Sequence, residues 1–195
     1  MRRQLLSALG AVLMFSLLTG LAYPLVMTGV SHVLFPSAAQ GSLIRSHGRV
    51  VGSSLIGQEF VSSAGQPLAQ YFQTRPSASN DNGLASGATN LGPSSANLLQ
   101  SVHQLEVAYR RFNHVPAGVE IPSDAVTTSG SGLDPDISIA NARLQAPRVA
   151  AARHLPVSVV YSLINSATIH PALGILGEPV VNVLELNVAL DSRAH

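Results

Sequence analysis

The sequence predicts an α+β protein: one N-terminal transmembrane helix followed by a single extracytoplasmic domain with a small β-sheet and several helices. Three patterns carry this reading. Leu5 to Val30 is an uncharged, mostly apolar run directly after Arg2 and Arg3, Leu98 to Phe112 repeats apolar residues at helical spacing, and Glu178 to Asp191 alternates them at strand spacing.

The apolar run occurs once. At a rise of ~1.5 Å per residue its 26 positions reach ~39 Å, more than the ~30 Å hydrocarbon core of a bilayer. Arg2 and Arg3 precede it and the next Arg is Arg45. The positive-inside rule therefore puts residues 1–4 in the cytoplasm, 5–30 in the membrane and 31–195 outside. Gly20-Leu21-Ala22 also fits a signal-peptide cleavage site. Apolar character nevertheless continues through Tyr23, Leu25, Val26, Met27 and Val30, so the run is read as an uncleaved anchor. Pro24 is expected to stop or kink the helix, because it has no N–H and crowds the preceding turn. Ser16 and Gly20, four apart, offer a small-residue face to another helix.

The remaining 165 residues suit one domain with a sizeable core. Charged residues are 11% of the chain, under half the usual ~25%. Much of the surface must therefore be Ser, Asn, Gln, Thr and Gly, or be covered by a partner. A net charge of +1 and the lack of a basic face argue against nucleic-acid binding. The chain has no Cys, which excludes disulfides and thiolate chemistry. All 11 basic residues are Arg, so a P-loop, which needs a Lys, is excluded as well.

In chain order, Gly41 to Ile56 reads as a hairpin turning at Ser46 to Gly48, with Leu43 and Ile44 before the turn and Val50 and Val51 after it. Ser62 to Asn97 is rich in Ser, Gly, Asn and Ala and reads as a flexible loop or linker. Its candidate core anchors are Leu68, Tyr71, Phe72, Leu84 and Leu91. Ser94 or Ser95 caps the helix whose stripe is Leu98, Val102, Leu105, Tyr109 and Phe112, and Arg110 and Arg111 suit its C-terminal dipole. Ser123-Asp124 starts a short helical turn. Ser138 caps a helix in which Pro147 either kinks the chain or opens a second helix, and Val159 to Ala167 is helical again. Leu184, Leu186, Val188 and Leu190 fall on one face of the predicted last strand, which is expected to join the hairpin in one sheet.

No enzyme emerges from the side chains. Asp134-Pro135-Asp136 lacks further oxygen ligands and reads as a turn held by Asx hydrogen bonds. The seven His, at 32, 47, 103, 114, 154, 170 and 195, show no metal-binding spacing. Ser131 lies between turn glycines, not in a GxSxG elbow, and neither Glu178 nor Glu185 has an assignable carboxylate partner. Arg75 is the best anion-contact candidate, with a structural salt bridge or bonds to loop carbonyls as the competing role. An anchored periplasmic binding module or hydrolase stays open beside the reading that follows.

Several strings occur in order: TGLAYPLVMTG from Thr19, FPSAAQGSLI from Phe35, VVGSSLIGQEF from Val50 and YFQTRPSAS from Tyr71. SGATNLGPSS from Ser86, SGSGLDPDIS from Ser129, PRVAAAR from Pro147 and LGEPVVNVLELNVALD from Leu176 complete the series. Together they resemble the C subunit of the bacterial Kdp high-affinity potassium-transporting ATPase, over almost the whole chain. The resemblance implies a non-catalytic, single-span inner-membrane subunit. Its partners would be a channel-like potassium-binding subunit, a P-type ATPase subunit and a small membrane peptide. It also implies a catalytic chaperone that raises the ATP affinity of the ATPase subunit. ATP enters through the complex, and potassium is the transported ion.

Arg75, Pro76, Ser77, Ser86, Gly87, Asn90, Leu91 and Gly92 match motif positions, and Arg75, Ser77, Ser86, Gly87 and Asn90 are the binding candidates the resemblance supplies. It supplies no catalytic or metal residue. Thr74 stands where the family commonly has Gly, and Ala88 stands within its SGGSN string. If that turn needs positive φ, Ala88 is the misfit. Because the charge balance puts the domain opposite cytoplasmic ATP, it is expected to cover the outer mouth of the channel-like subunit and to act on ATP binding allosterically.

Overall fold

The computed structural model describes residues 1–193, so His195 lies outside the described residues. The chain forms two compact units, Met1–Leu43 and a second beginning at Ile44.

In the first unit α1 (Arg2–Leu17), a π-helical turn (Leu18–Ala22) and α2 (Tyr23–Leu34) form one continuous helix. None of its 33 residues is buried, which is compatible with a membrane span, and they extend past the apolar run at both ends. Pro24 neither stops the helix nor ends the span. The wider π turn immediately before it moves the preceding carbonyls away from the proline ring, which relieves the clash that breaks an ordinary helix. Thr19 Oγ1 also donates to the Phe15 carbonyl at 2.7 Å, turning a hydroxyl inward within the apolar stretch. Pro36–Ala39 adds a single turn, α3.

The hairpin forms as the sequence predicts, with β1 (Leu43–Ser46) and β2 (Arg49–Ser53) meeting through a turn in which His47 and Gly48 have positive φ. α4 (Ala96–Asn113) is capped by Ser95, whose Oγ accepts from Leu98 N–H. Ser123–Ala125 is a 3₁₀ turn. β3 (Asp136–Ser138) leads into α5 (Ile139–Ala152), capped by Ser138, and Pro147 lies within that one helix. α6 (Val157–Ser166), β4 (Thr168–Ile169), β5 (Val180–Asn182) and α7 (Val183–Asp191) complete the unit.

The long C-terminal strand is corrected by the structure. Only Val180–Asn182 is extended, and from Val183 the chain is helical. The buried set Val183, Leu184, Leu186, Asn187 and Leu190 recurs at helical spacing, while Val188 is only half-buried. Asn182 Oδ1 accepts from Glu185 N–H at 3.1 Å, so Asn-x-x-Glu is a helix start placed inside an apparently alternating run.

The single sheet joining both ends of the domain does not form either. β5 is central in the order β3-β5-β4, antiparallel to both neighbours, with Ile137 opposite Val181 and Thr168 also opposite Val181. Both of its edges are occupied, and among the described residues β1 and β2 pair only with each other. Phe72 joins Ile137, Ala146, Val149, Val160, Ile164, Val181, Val183, Leu186 and Leu190 in the core between this sheet and α5, α6 and α7.

Candidate functional site

Phe72 lies in the segment that composition marks as a flexible linker. The loop forms, since residues 62–95 have no helix and no regular strand, but around Phe72 it is fixed to the core and is no linker there. Side-chain amides replace a sheet ladder. Asn187 Oδ1 accepts from Phe72 N–H at 2.9 Å and its Nδ2 donates to the Phe72 carbonyl at 3.0 Å. Gln145 does the same for Gln73, accepting from its N–H at 2.8 Å and donating to its carbonyl at 3.0 Å. Arg148 donates to the carbonyls of Ala69 and Tyr71 and to Asn113 Oδ1. Of the other expected anchors, Leu84 is 99% exposed and Leu91 also faces solvent.

Asn141, Gln145 and Arg148 are a buried polar stripe on α5, at the four- and three-residue steps of one helix face. Asp124 extends it, accepting from the Ser138 N–H and hydroxyl and from Asn141 Nδ2, each at 2.9 Å. Tyr109 of α4 donates to Asn141 Oδ1 at 2.8 Å. Burial, then the Asp124 charge, raises the Tyr109 pKa, so the phenol stays protonated and remains a donor. Burial lowers the Arg148 pKa to about 10, which still leaves it cationic at neutral pH. No carboxylate among the described residues pairs with it. Its guanidinium lies 4.3 Å from the Phe112 ring centroid and takes its compensation from that ring and from carbonyl and amide oxygens.

The sequence-derived candidates converge at a neighbouring junction. Arg75 pairs with Asp134 at 3.0 Å, while its Nε is buried with no hydrogen-bond partner. Ser77 Oγ donates to the Gly132 carbonyl at 2.6 Å and accepts from the N–H groups of Ser79 and Asp81. The Ser86 hydroxyl and the Gly87 N–H both donate to the Ser131 carbonyl, at 2.9 and 2.8 Å. Gly132 has φ +69°, and a Cβ there would lie 2.6 Å from the Gly87 carbonyl oxygen. TRPS, SGAT and SGSGLDP are therefore three sides of one loop junction. Asn90 is not part of it and bonds only locally, to the Ala88 carbonyl. Asn90, not Ala88, takes the positive φ of that turn, at 54°, a conformation asparagine tolerates. Asp134 Oδ1 accepts from Asp136 N–H at 3.1 Å, which is the expected Asx turn. Burial raises the Asp81 pKa, against the opposing effect of the Thr74 hydroxyl, which donates to it at 3.0 Å.

Beside this junction an open groove of about 1140 Å³ runs between α4 and the 59–81 segment. Its walls include His103, Arg111, Thr74 and Ser77, and Gln145 and Arg148 also line it. Thr74, Ser77, Gln145 and Arg148 are already hydrogen-bonded within the domain, whereas the exposed His103 and Arg111 side chains have no hydrogen-bond partner among the described residues, so those two carry the groove's open bonding capacity.

Residues 5–192 match the family model described as KdpC: K+-transporting ATPase, c chain. The chain belongs to the KdpC family. It is 49% identical over 193 residues to the potassium-transporting ATPase KdpC subunit of Mycobacterium bovis (strain BCG / Pasteur 1173P2), covering 98% of this chain and 99% of that relative. The protein of the same description from Caulobacter vibrioides (strain NA1000 / CB15N) is 51% identical over 189 residues, 95% of this chain and 91% of its own. That from Cereibacter sphaeroides (strain ATCC 17029 / ATH 2.4.9) is 49% identical over 192 residues, covering 98% of each. The KdpC match takes in the N-terminal helix, the buried stripe and the loop junction alike. Sequence reasoning missed Asn141, Gln145, Arg148 and Asn187, although three polar residues at helical spacing in an Ala-rich helix were a readable signal.

Proposed function

We propose that this chain is the non-catalytic accessory subunit of an ATP-driven, high-affinity potassium uptake complex in a bacterial inner membrane. The KdpC-family match over residues 5–192, which takes in the N-terminal helix from residue 5 onward, carries this reading. The helix crosses the membrane with residues 1–4 cytoplasmic, and the domain after it is periplasmic. There it covers the outer mouth of a channel-like potassium-binding subunit. A P-type ATPase subunit and a small membrane peptide complete the assembly.

On this reading the effect on ATP affinity is allosteric. Its support is chemical: Arg75, Ser77, Ser86 and Gly87 direct their polar groups at Asp134 and at the loop carbonyls of Ser131 and Gly132. Digestion of sealed, inside-out vesicles tests the topology. Residues after the helix should resist added protease until detergent is present, and digestion without detergent would overturn the outward placement.

The groove beside α4 favours a second reading, direct nucleotide binding by this subunit. A photoactivatable ATP analogue applied to the purified complex separates the two. Labelling confined to the ATPase subunit supports allostery, and labelling of this chain at α4 or α5 supports direct contact.

A further inference from the structure

The β1–β2 hairpin follows the helix with only residues 35–42 between them. Eight residues span at most about 29 Å when fully extended, so the hairpin stays close to the end of the helix in any arrangement of the two units. Its composition is one-sided. From Ser31 to Gln58 there is no Asp or Glu, whereas Arg45 and Arg49 are both present. Both are exposed, and neither guanidinium has an ion-pair or hydrogen-bond partner among the described residues. Leu43 and Val50 are 46% and 47% exposed; strand alternation puts Leu43 on the same face as Arg45, and puts Arg49, beside the turn, on the face opposite Val50, from which its long stem can still bring the guanidinium round to a surface that Val50 touches. Exposed arginines beside exposed aliphatic side chains are the chemistry of a surface that settles at a lipid interface.

We propose that this hairpin is a membrane-surface contact, in which Arg45 and Arg49 bind the phosphate headgroups of anionic lipids and Leu43 and Val50 enter the interfacial layer. Two arginines give a weak attraction, a bias of roughly fivefold each near an anionic surface. That is sufficient here, because the helix already holds the hairpin at the membrane and makes the contact intramolecular in effect. A protein partner would need acids matched to both guanidinium positions, whereas a bilayer surface is present wherever the tether allows the hairpin to reach. The inference rests on the helix being membrane-embedded and holds for either orientation.

The chain has no Cys, so Val50→Cys carries a unique fluorophore on the full-length protein. It is placed in nanodiscs of phosphatidylcholine alone or with phosphatidylglycerol as a third of the lipid. Acrylamide, an uncharged quencher, should quench the label about threefold less in the anionic disc, with the difference shrinking as salt screens it. Arg45→Gln with Arg49→Gln should abolish the difference, and Arg45→Lys with Arg49→Lys should retain it. Equal quenching in both discs would overturn the proposal. So would protection that appears only with partner subunits and ignores lipid charge, an outcome that assigns the hairpin to a protein contact.

Discussion

Asn187 brackets Phe72, with its side-chain amide bonded to both the N–H and the carbonyl of that one residue, at 2.9 and 3.0 Å. The fully buried phenyl ring is therefore placed by a side chain from α7 and not by a neighbouring strand. Replacing Asn187 with Leu keeps the branched outline of the side chain and leaves two buried backbone groups unpaired, each costing about 1–3 kcal/mol. Denaturation of the full chain in detergent should show a loss of about 2–5 kcal/mol. A loss below about 1 kcal/mol would mean that the bracket is not what orders the segment.

Arg148 should be harder to replace than an ordinary core residue. Met keeps the unbranched stem but not the guanidinium, and so abandons the carbonyls of Ala69 and Tyr71 and the Asn113 amide. Bonds to a charged donor contribute about 1.5–3 kcal/mol each, and shared relaxation brings the expected loss for Arg148→Met to about 3–5 kcal/mol. Arg148→Lys keeps the charge without the fork, so it should recover less than half of that loss in the same measurement.

Two motif glycines should behave oppositely. Gly132→Ala forces a positive-φ position and pushes a methyl group against the Gly87 carbonyl oxygen and Ser79 Oγ, both 2.6 Å away. It should lower the melting temperature clearly. At Gly87 the space for a Cβ is open and φ is not positive, so Gly87→Ala should leave stability within about 0.5 kcal/mol. If Gly87→Ala nevertheless weakens co-purification with partner subunits, the exposed edge of the junction is a contact surface.

The Asp136 carboxyl titrates above the ordinary carboxylate value, chiefly because it is partly buried, with the Asn182 hydrogen bond opposing the shift. A folded-state pKa raised above the unfolded one favours the protonated, acidic-side form. The group's contribution to stability is thus full below the unfolded pKa and is lost as pH rises through the folded one. Asp136→Asn stays neutral and keeps an oxygen for Asn182. Relative to the parent it should gain stability as pH rises from the ordinary carboxylate value through the raised folded-state one, and gain nothing at the acid end. A difference between the two proteins that is constant across that range would contradict the assignment.

Elements with local signals were legible in the sequence. The Ser95 and Ser138 caps, the α4 stripe, the hairpin turn and the apolar helix each announce themselves within a few residues. The failures arose where two local codes overlapped or where the partner was distant. Val183 to Leu190 alternates like a strand, yet it opens with Asn-x-x-Glu and buries a helical face. Phe72 and Asn187 are 115 positions apart, so composition registers only a polar, glycine-rich stretch around the first and a lone polar residue at the second. The family strings mark TRPS, SGAT and SGSGLDP separately, but a string cannot show that the three meet or that Ser77, Ser86 and Gly87 direct their hydrogen bonds to Ser131 and Gly132.

The amide brackets also decide how this domain comes apart. Backbone groups of residues 72 and 73 end on side chains of Asn187 and Gln145, whereas those of Val181 lie in the β3-β5-β4 ladder. The stretch around Phe72 can therefore peel from the core by breaking side-chain bonds while every ladder bond survives. Such a seam divides the domain into two opening units, with the Phe72 and Gln73 amides exchanging hydrogen before those of the sheet.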